Sequence, residues 1–164
     1  MIYIIDANNL AGKLNLLPEV DFDKQLIKII EDYNRGKGKK IFLVFDGIDR
    51  YGDKYTSGNI TIIRAPQDNF YKTADDKIVE LAQNIVETVK DDLTVITDDL
   101  GIKDLIFKNN LDNRRKIEII NARDFAKKIN YLQSKELDGD GDKRIDSEAA
   151  AKMNKELLEL WKNK

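Results

Sequence analysis

The stretch MIYIIDANNL (Met1–Leu10) sets the reading of the whole chain. Five consecutive apolar residues end abruptly in an aspartate. A strand with one face in water alternates apolar and polar residues, whereas a strand buried on both faces is apolar throughout. Four more runs share the pattern: KIFLVF (Lys40–Phe45), NITIIRA (Asn59–Ala65), LTVIT (Leu93–Thr97) and KIEIIN (Lys116–Asn121). Between them, apolar residues recur at helical spacing. One set is Phe22, Leu26, Ile29, Ile30 and Tyr33; a second is Ala74, Ile78, Leu81, Ile85 and Val89; a third is Phe125, Ala126, Ile129 and Leu132. Buried strands alternating with helices predict an α/β fold with three α/β/α layers around a central, mostly parallel, five-stranded sheet.

Two segments break the rhythm. GIDRYGDKYTSG (Gly47–Gly58) has no helical period and reads as a flexible connection. Through Arg50, Tyr51, Lys54 and Tyr55 it either lies against a substrate or is a solvated loop, and the sequence leaves both open. The tail begins near residue 131, passes through an acidic, Gly-containing turn, and ends in a helix. Ser147 is its N-cap, and Ala150, Met153, Leu157 and Trp161 share one face. The expected organisation is one domain over residues 1–130 and an extension over 131–164.

With 164 residues, of which 41% are apolar and 35% charged, the chain can bury a core and is not of disordered composition. It contains neither Cys nor His. Disulfides, thiolate chemistry and the commonest general base are thereby excluded. Any metal must be held by oxygen, which points to Mg²⁺ or Mn²⁺ and away from zinc or copper. The apolar runs are far too short to span a membrane, and the start lacks the pattern of a secretory signal, so a cytoplasmic location is expected. A net charge of −2 gives no global attraction for nucleic acid, so any such binding needs a local patch.

The acids fall at significant places. Asp6 follows the first strand, Asp46 the second, and Asp98–Asp99 the run LTVIT. In a parallel sheet these strand ends share one edge, where open α/β sheets bind ligands. Asp75 and Asp76 begin a helix that should start near the same edge. The alternative is local: Thr73 with Asp76 resembles a capping box, and acids suit the first turn of a helix. Crowded carboxylates repel one another by several kcal/mol and are relieved by protons or cations. Without His, a divalent metal is the simplest relief. Asp98 and Asp99 cannot both point the same way, so one of them is a helix cap or supports the other. Carboxylate-held Mg²⁺ can activate water against a phosphodiester without a covalent nucleophile. No GxxxxGK[ST], GxGxxG or GxSxG motif points elsewhere.

IIDANNL, LVFDG, YKTADDKIVELA, VITDDLGI and IINARDFAKKI stand in the order and spacing of NYN-domain, PIN-like nucleases, and most resemble their YacP-like ribonuclease branch. The resemblance spans Met1–Asn130 and leaves out the tail. It implies a PIN-like sandwich and a Mg²⁺- or Mn²⁺-dependent endoribonuclease that leaves a 5′-phosphate and a 3′-hydroxyl. The substrate would be RNA, single-stranded or presented by a ribosome. Asp6, Asp46, Asp75 and Asp99 would be the catalytic acids, and Asp6, Asp75, Asp76, Asp98 and Asp99 the metal ligands. Asn9 and Thr97 would orient the site. Asp98 replaces a small polar residue of the family pattern, and Ala7 and Asn8 replace its Gly and aromatic residue. The rival within this resemblance is an RNA- or ribosome-binding module that cleaves weakly or not at all.

Phosphate contacts are expected from Arg50, Lys54, Lys72, Arg114 and Arg115, with Tyr51, Tyr55 and Tyr71 available for stacking. GKGKK (Gly36–Lys40) reads as a solubilising helix end. In the tail, DGDGDKRIDSEA (Asp138–Ala149) sets Asp138, Asp140, Asp142 and Asp146 at the acidic positions of a calcium loop. Lys143 stands where the loop needs Gly, however, and Ala149 where it needs Glu. A solvated linker is the preferred reading over a weak Ca²⁺ site. A phosphotransferase using Asp46 as nucleophile is disfavoured because residue 48 is Ile.

Overall fold

The computed structural model describes residues 1–47, 52–66, 73–109 and 117–139, with side chains described as far as Asn130. Two units divide the chain, Met1–Asn130 and Tyr131–Lys164. Among the described residues, six strands form one sheet. In chain order the elements are β1 (Ile2–Asp6), α1 (Ala7–Lys13), α2 (Phe22–Asn34), β2 (Lys40–Phe45), β3 (Asp53–Ser57), β4 (Ile60–Arg64), α3 (Ala74–Thr88), β5 (Leu93–Ile96), α4 (Leu100–Asn109), β6 (Ile117–Ile120) and α5 (Ala122–Gly139). The strand order is β3-β4-β2-β1-β5-β6, with every pairing parallel except β3 against β4. Among the described residues, no helix is long and apolar enough to cross a membrane.

The mixed α/β sandwich agrees with the sequence, with one strand more than expected. β3 occupies part of the segment read as a connection. Every residue of it is exposed, so it lacks the apolar signature of the others. Its pairing is set by a two-residue turn, Gly58–Asn59, that brings Ser57 opposite Ile60. Gly58 sits at φ 56, a backbone conformation glycine adopts without strain.

Alternation along the strands sorts side chains between two layers. Ile2 and Ile4 of β1, Val44 of β2, and Leu93 and Val95 of β5 pack with Ala74, Ile78, Val79, Ala82 and Ile85 of α3 and Ile102 and Ile106 of α4. Residues of opposite parity face the other layer. There Tyr3 meets Phe125 of α5 at 6.3 Å, and Phe125 meets Tyr33 of α2 edge to face at 5.0 Å.

Asn34 closes the turn from α2 into β2, accepting from the Lys39 amide and donating to the Lys39 carbonyl. Lys37 and Lys39 of GKGKK are tied down here. Lys39 Nζ donates to the Tyr3 hydroxyl at 2.6 Å, and Lys37 Nζ lies 3.7 Å from the centre of the Tyr33 ring. They stand where β2 begins, at the end of the sheet opposite Asp6 and Asp46.

Gly47 fixes the exit of β2. A Cβ there would fall 1.7 Å from the Ala65 carbonyl oxygen, so backbone, not a flexible side chain, would have to move. Gly47→Ala should therefore cost at least about 3 kcal/mol of stability, read as a lower urea midpoint. A cost under about 1 kcal/mol would show that this junction yields freely.

Candidate active site

The C-terminal ends of β2, β1 and β5 lie side by side, and each carries an acid. Asp6, the last residue of β1, is only 5% exposed. Its Oδ1 accepts the Asn9 amide at 3.0 Å, capping α1, and its Oδ2 accepts the Thr97 hydroxyl at 3.0 Å. The Thr97 hydroxyl oxygen in turn accepts the Asp99 amide at 3.1 Å. One fully buried threonine thus links Asp6 to Asp99. Asp99 Oδ1 accepts the Ile102 amide at 3.0 Å, which caps α4. Asn9 acts on Asp6 through its backbone.

Asp46, directly after β2, accepts the Ala74 amide at 3.0 Å on Oδ1. Its own amide donates to Asn8 Oδ1 at 3.3 Å. Asn8 was not among the expected site residues. Only the strand-end Asp46 on one side and the helix start on the other hint at it in the sequence. The Thr73 side of the alternative reading, a local capping box at the start of α3, is not formed. Thr73 has extended backbone and makes no side-chain capping bond. Asp46, from another strand, takes that place.

Asp75, in the first turn of α3, is where the charges converge. Partial burial pushes its carboxyl up to about 6, with Asp6, Asp99, Asp46 and Asp76 adding their repulsion in that order. Asp6 is also raised, chiefly by burial; the Asn9 and Thr97 bonds oppose the rise, and Asp46 and Asp99 add to it. Asp6, Asp46, Asp75, Asp76 and Asp99 therefore form one electrostatic group. Among the described residues, no three acids stand close enough, as placed, to hold a metal ion. The group is coupled in charge but is not a ready-made cage.

Asp98 is engaged elsewhere. Its Oδ1 accepts the Ala122 amide at 2.9 Å, at the start of α5, and its Oδ2 pairs with Lys13 of α1 at 3.2 Å. Parity explains the split: Thr97 and Asp99 continue the face of Leu93 and Val95 toward α3, and Asp98 turns to the other layer. Of the expected phosphate contacts, Lys54 lies exposed on the edge strand β3. Arg64, at the end of β4, is not free for that task, since it pairs with Asp23 at 2.6 Å and with Asp53 at 3.4 Å. Arg50, Lys72, Arg114 and Arg115, with Tyr51 and Tyr71, lie outside the described residues. So do Asp140, Asp142 and Asp146 of the tail loop, while Asp138 falls in the last turn of α5.

The raised Asp75 pKa gives a signed pH dependence. An unfolded Asp titrates near about 3.9, so between there and about 6 the folded protein holds a proton that the unfolded chain has released. Stability from this group is present at low pH and is lost as pH rises through that window. With metal chelated by EDTA, Asp75→Asn should be more stable than wild type at pH 7.5. After allowance for solvent screening the gain is on the order of 1 kcal/mol, and it should shrink toward pH 4. Denaturation curves at both pH values check this; a variant no more stable than wild type at pH 7.5 would contradict it.

Comparison with known proteins supplies the remaining identification. No curated protein and no solved structure matches the chain. The family described as the YacP-like NYN domain matches it over residues 3–163. The match runs through the tail, which the motifs alone had left outside the resemblance. The chain therefore belongs to the YacP-like NYN domain family, whose fold is that of the PIN-like nucleases.

Proposed function

We propose that this protein is a metal-dependent endoribonuclease that hydrolyses RNA phosphodiester bonds at the acidic rim of its sheet. One observation carries the reading: the Asp75 carboxylate stands in the combined field of Asp6, Asp46, Asp76 and Asp99. Such a field favours a cation, and an all-oxygen donor set suits Mg²⁺ or Mn²⁺. Asp6, Asp75 and Asp99 would hold the ion, with Asp76 beside them; the hydrogen bonds already made by Asp6 and Asp99 leave lone pairs free. Because the carboxylates do not form a cage as placed, they would draw together around it.

When bound, the ion would supply Lewis acidity toward the phosphoryl oxygen and a water of lowered pKa. The chain's own contribution is placement. Thr97 holds Asp6 and Asp99 in register, and the start of α3 presents Asp75 and Asp76. Hydrolysis by activated water leaves a 5′-phosphate and a 3′-hydroxyl, and needs no nucleophilic side chain. Single-stranded RNA, free or presented by a ribosome, would be the substrate, as the resemblance to the ribonuclease branch implies.

Titrating Mn²⁺ against cleavage of a labelled single-stranded RNA tests the proposal. Wild type should be silent in EDTA and active with metal. Asp75→Asn should lose about a hundredfold or more, the several kcal/mol that a metal supplies at roughly 1.4 kcal/mol per decade. Equal rates in the two proteins, or cleavage that survives EDTA, would refute it and leave an RNA-binding module.

A further inference from the structure

We infer that Asp46 and Asp98 are positioning residues, each fixing the start of a helix that the chain delivers from elsewhere, rather than ligands of the ion; the inference rests on the functional reading above. The two sites share one geometry. Asp46, after β2, accepts the first amide of α3, that of Ala74, at 3.0 Å. Asp98, after β5, accepts the first amide of α5, that of Ala122, at 2.9 Å. Each receiving residue is a buried alanine, so the two surfaces approach closely. Asp6 and Asp99 differ, since each caps the helix that directly follows it in the chain.

Asp46 is well braced for the task. Its amide is held by Asn8 at the start of α1. The residue before it accepts the Ala65 amide at 2.9 Å, and Gly47 after it lies against the Ala65 carbonyl. A carboxylate fixed in this way can hold the first turn of α3, and the residue after Ala74 is Asp75. Where α3 begins is therefore set by Asp46, and with it the position of the acid on which the charges converge. Asp98 joins α1, β5 and α5 through Lys13 and Ala122, directly behind Thr97 and Asp99.

A capping acceptor needs an oxygen, whereas an ion ligand in this field needs the charge. The test therefore compares Asn with Ala at both positions, with Asp75→Asn as reference. The readouts are RNA cleavage, Mn²⁺ affinity by calorimetry, and amide exchange at Ala74 and Ala122 by NMR. Asn serves as a cap about as well as Asp, so Asp46→Asn and Asp98→Asn should keep their amides protected. Asp98→Asn should stay within about fivefold of wild type in cleavage, and Asp46→Asn, which also takes one charge from the field at Asp75, should cleave about tenfold faster than Asp46→Ala. Asp46→Ala should expose the Ala74 amide and lose roughly a hundredfold in cleavage, the cost of about 1 Å of misplacement. Asp98→Ala should expose the Ala122 amide. Asn variants as inactive as Asp75→Asn, with weakened Mn²⁺ binding and full amide protection, would overturn the inference. If wild type cleaves no RNA, the nuclease reading fails alone, and the exchange and Mn²⁺ measurements still decide whether these two acids position or bind.

Discussion

Like charges gather at one edge of this sheet, and the fold depends on what restrains them. Two carboxylates a few ångströms apart in a partly desolvated site repel by several kcal/mol. The opposing force is a set of donors aimed at specific oxygens. Asp6 accepts from the Asn9 amide and the Thr97 hydroxyl, Asp46 from Ala74, and Asp99 from Ile102. Bonds to a charged acceptor contribute about 1.5–3 kcal/mol each. Three of these four donors belong to helix starts, whose amides have no partner within the helix. Acids and helix ends thus offset one another's cost. At Asp75 burial and the combined field push the carboxyl up to about 6.

Strand parity decides which acids join. With β2, β1 and β5 adjacent and parallel, side chains of one parity at their ends face the layer of α3 and α4. Asp6 follows Ile2 and Ile4 in that parity, Asp46 follows Val44, and Asp99 follows Leu93 and Val95. Asp98 is one residue out of phase and pairs with the other layer, through α1 and α5. A shift of one residue in any of these strands would exchange a site acid for a strut.

Much of this was legible beforehand. The five apolar runs became strands because consecutive apolar residues have no other stable place in a sheet covered on both sides. α2, α3 and α5 announced themselves through apolar spacing over ten or more residues. α1 was harder to see, because seven residues carry only Ala7, Leu10 and Ala11 as a buried face. α4 carries exposed Leu100, Leu105 and Phe107, which blur its period. β3 is wholly exposed, so only the Gly58–Asn59 turn marks it. At the rim, the sequence could place acids at strand ends but could not show that Asp46 reaches Ala74 across 28 residues. Contacts of that separation exist only once the sheet has formed. The same limit made Thr73 look like the cap of α3, since a local motif is read without knowledge of a distant competitor.

That substitution of caps has a consequence for how the fold and the site are related. Had Thr73 capped α3, the helix start would be set locally and could shift independently of β2. Capping by Asp46 instead ties α3 to the strand next to β1, so the geometry between Asp75 and Asp6 is inherited from the strand pairing itself. Asn8 extends the tie to the start of α1, whose first turn donates to Asp6. The acids are thereby spaced by the hydrogen-bonded, parallel β2–β1–β5 strands, and their repulsion is met by backbone paired along its length. Placing acids on the edge of a paired sheet is how a protein with neither Cys nor His can keep a strongly charged rim without yielding its fold to that charge.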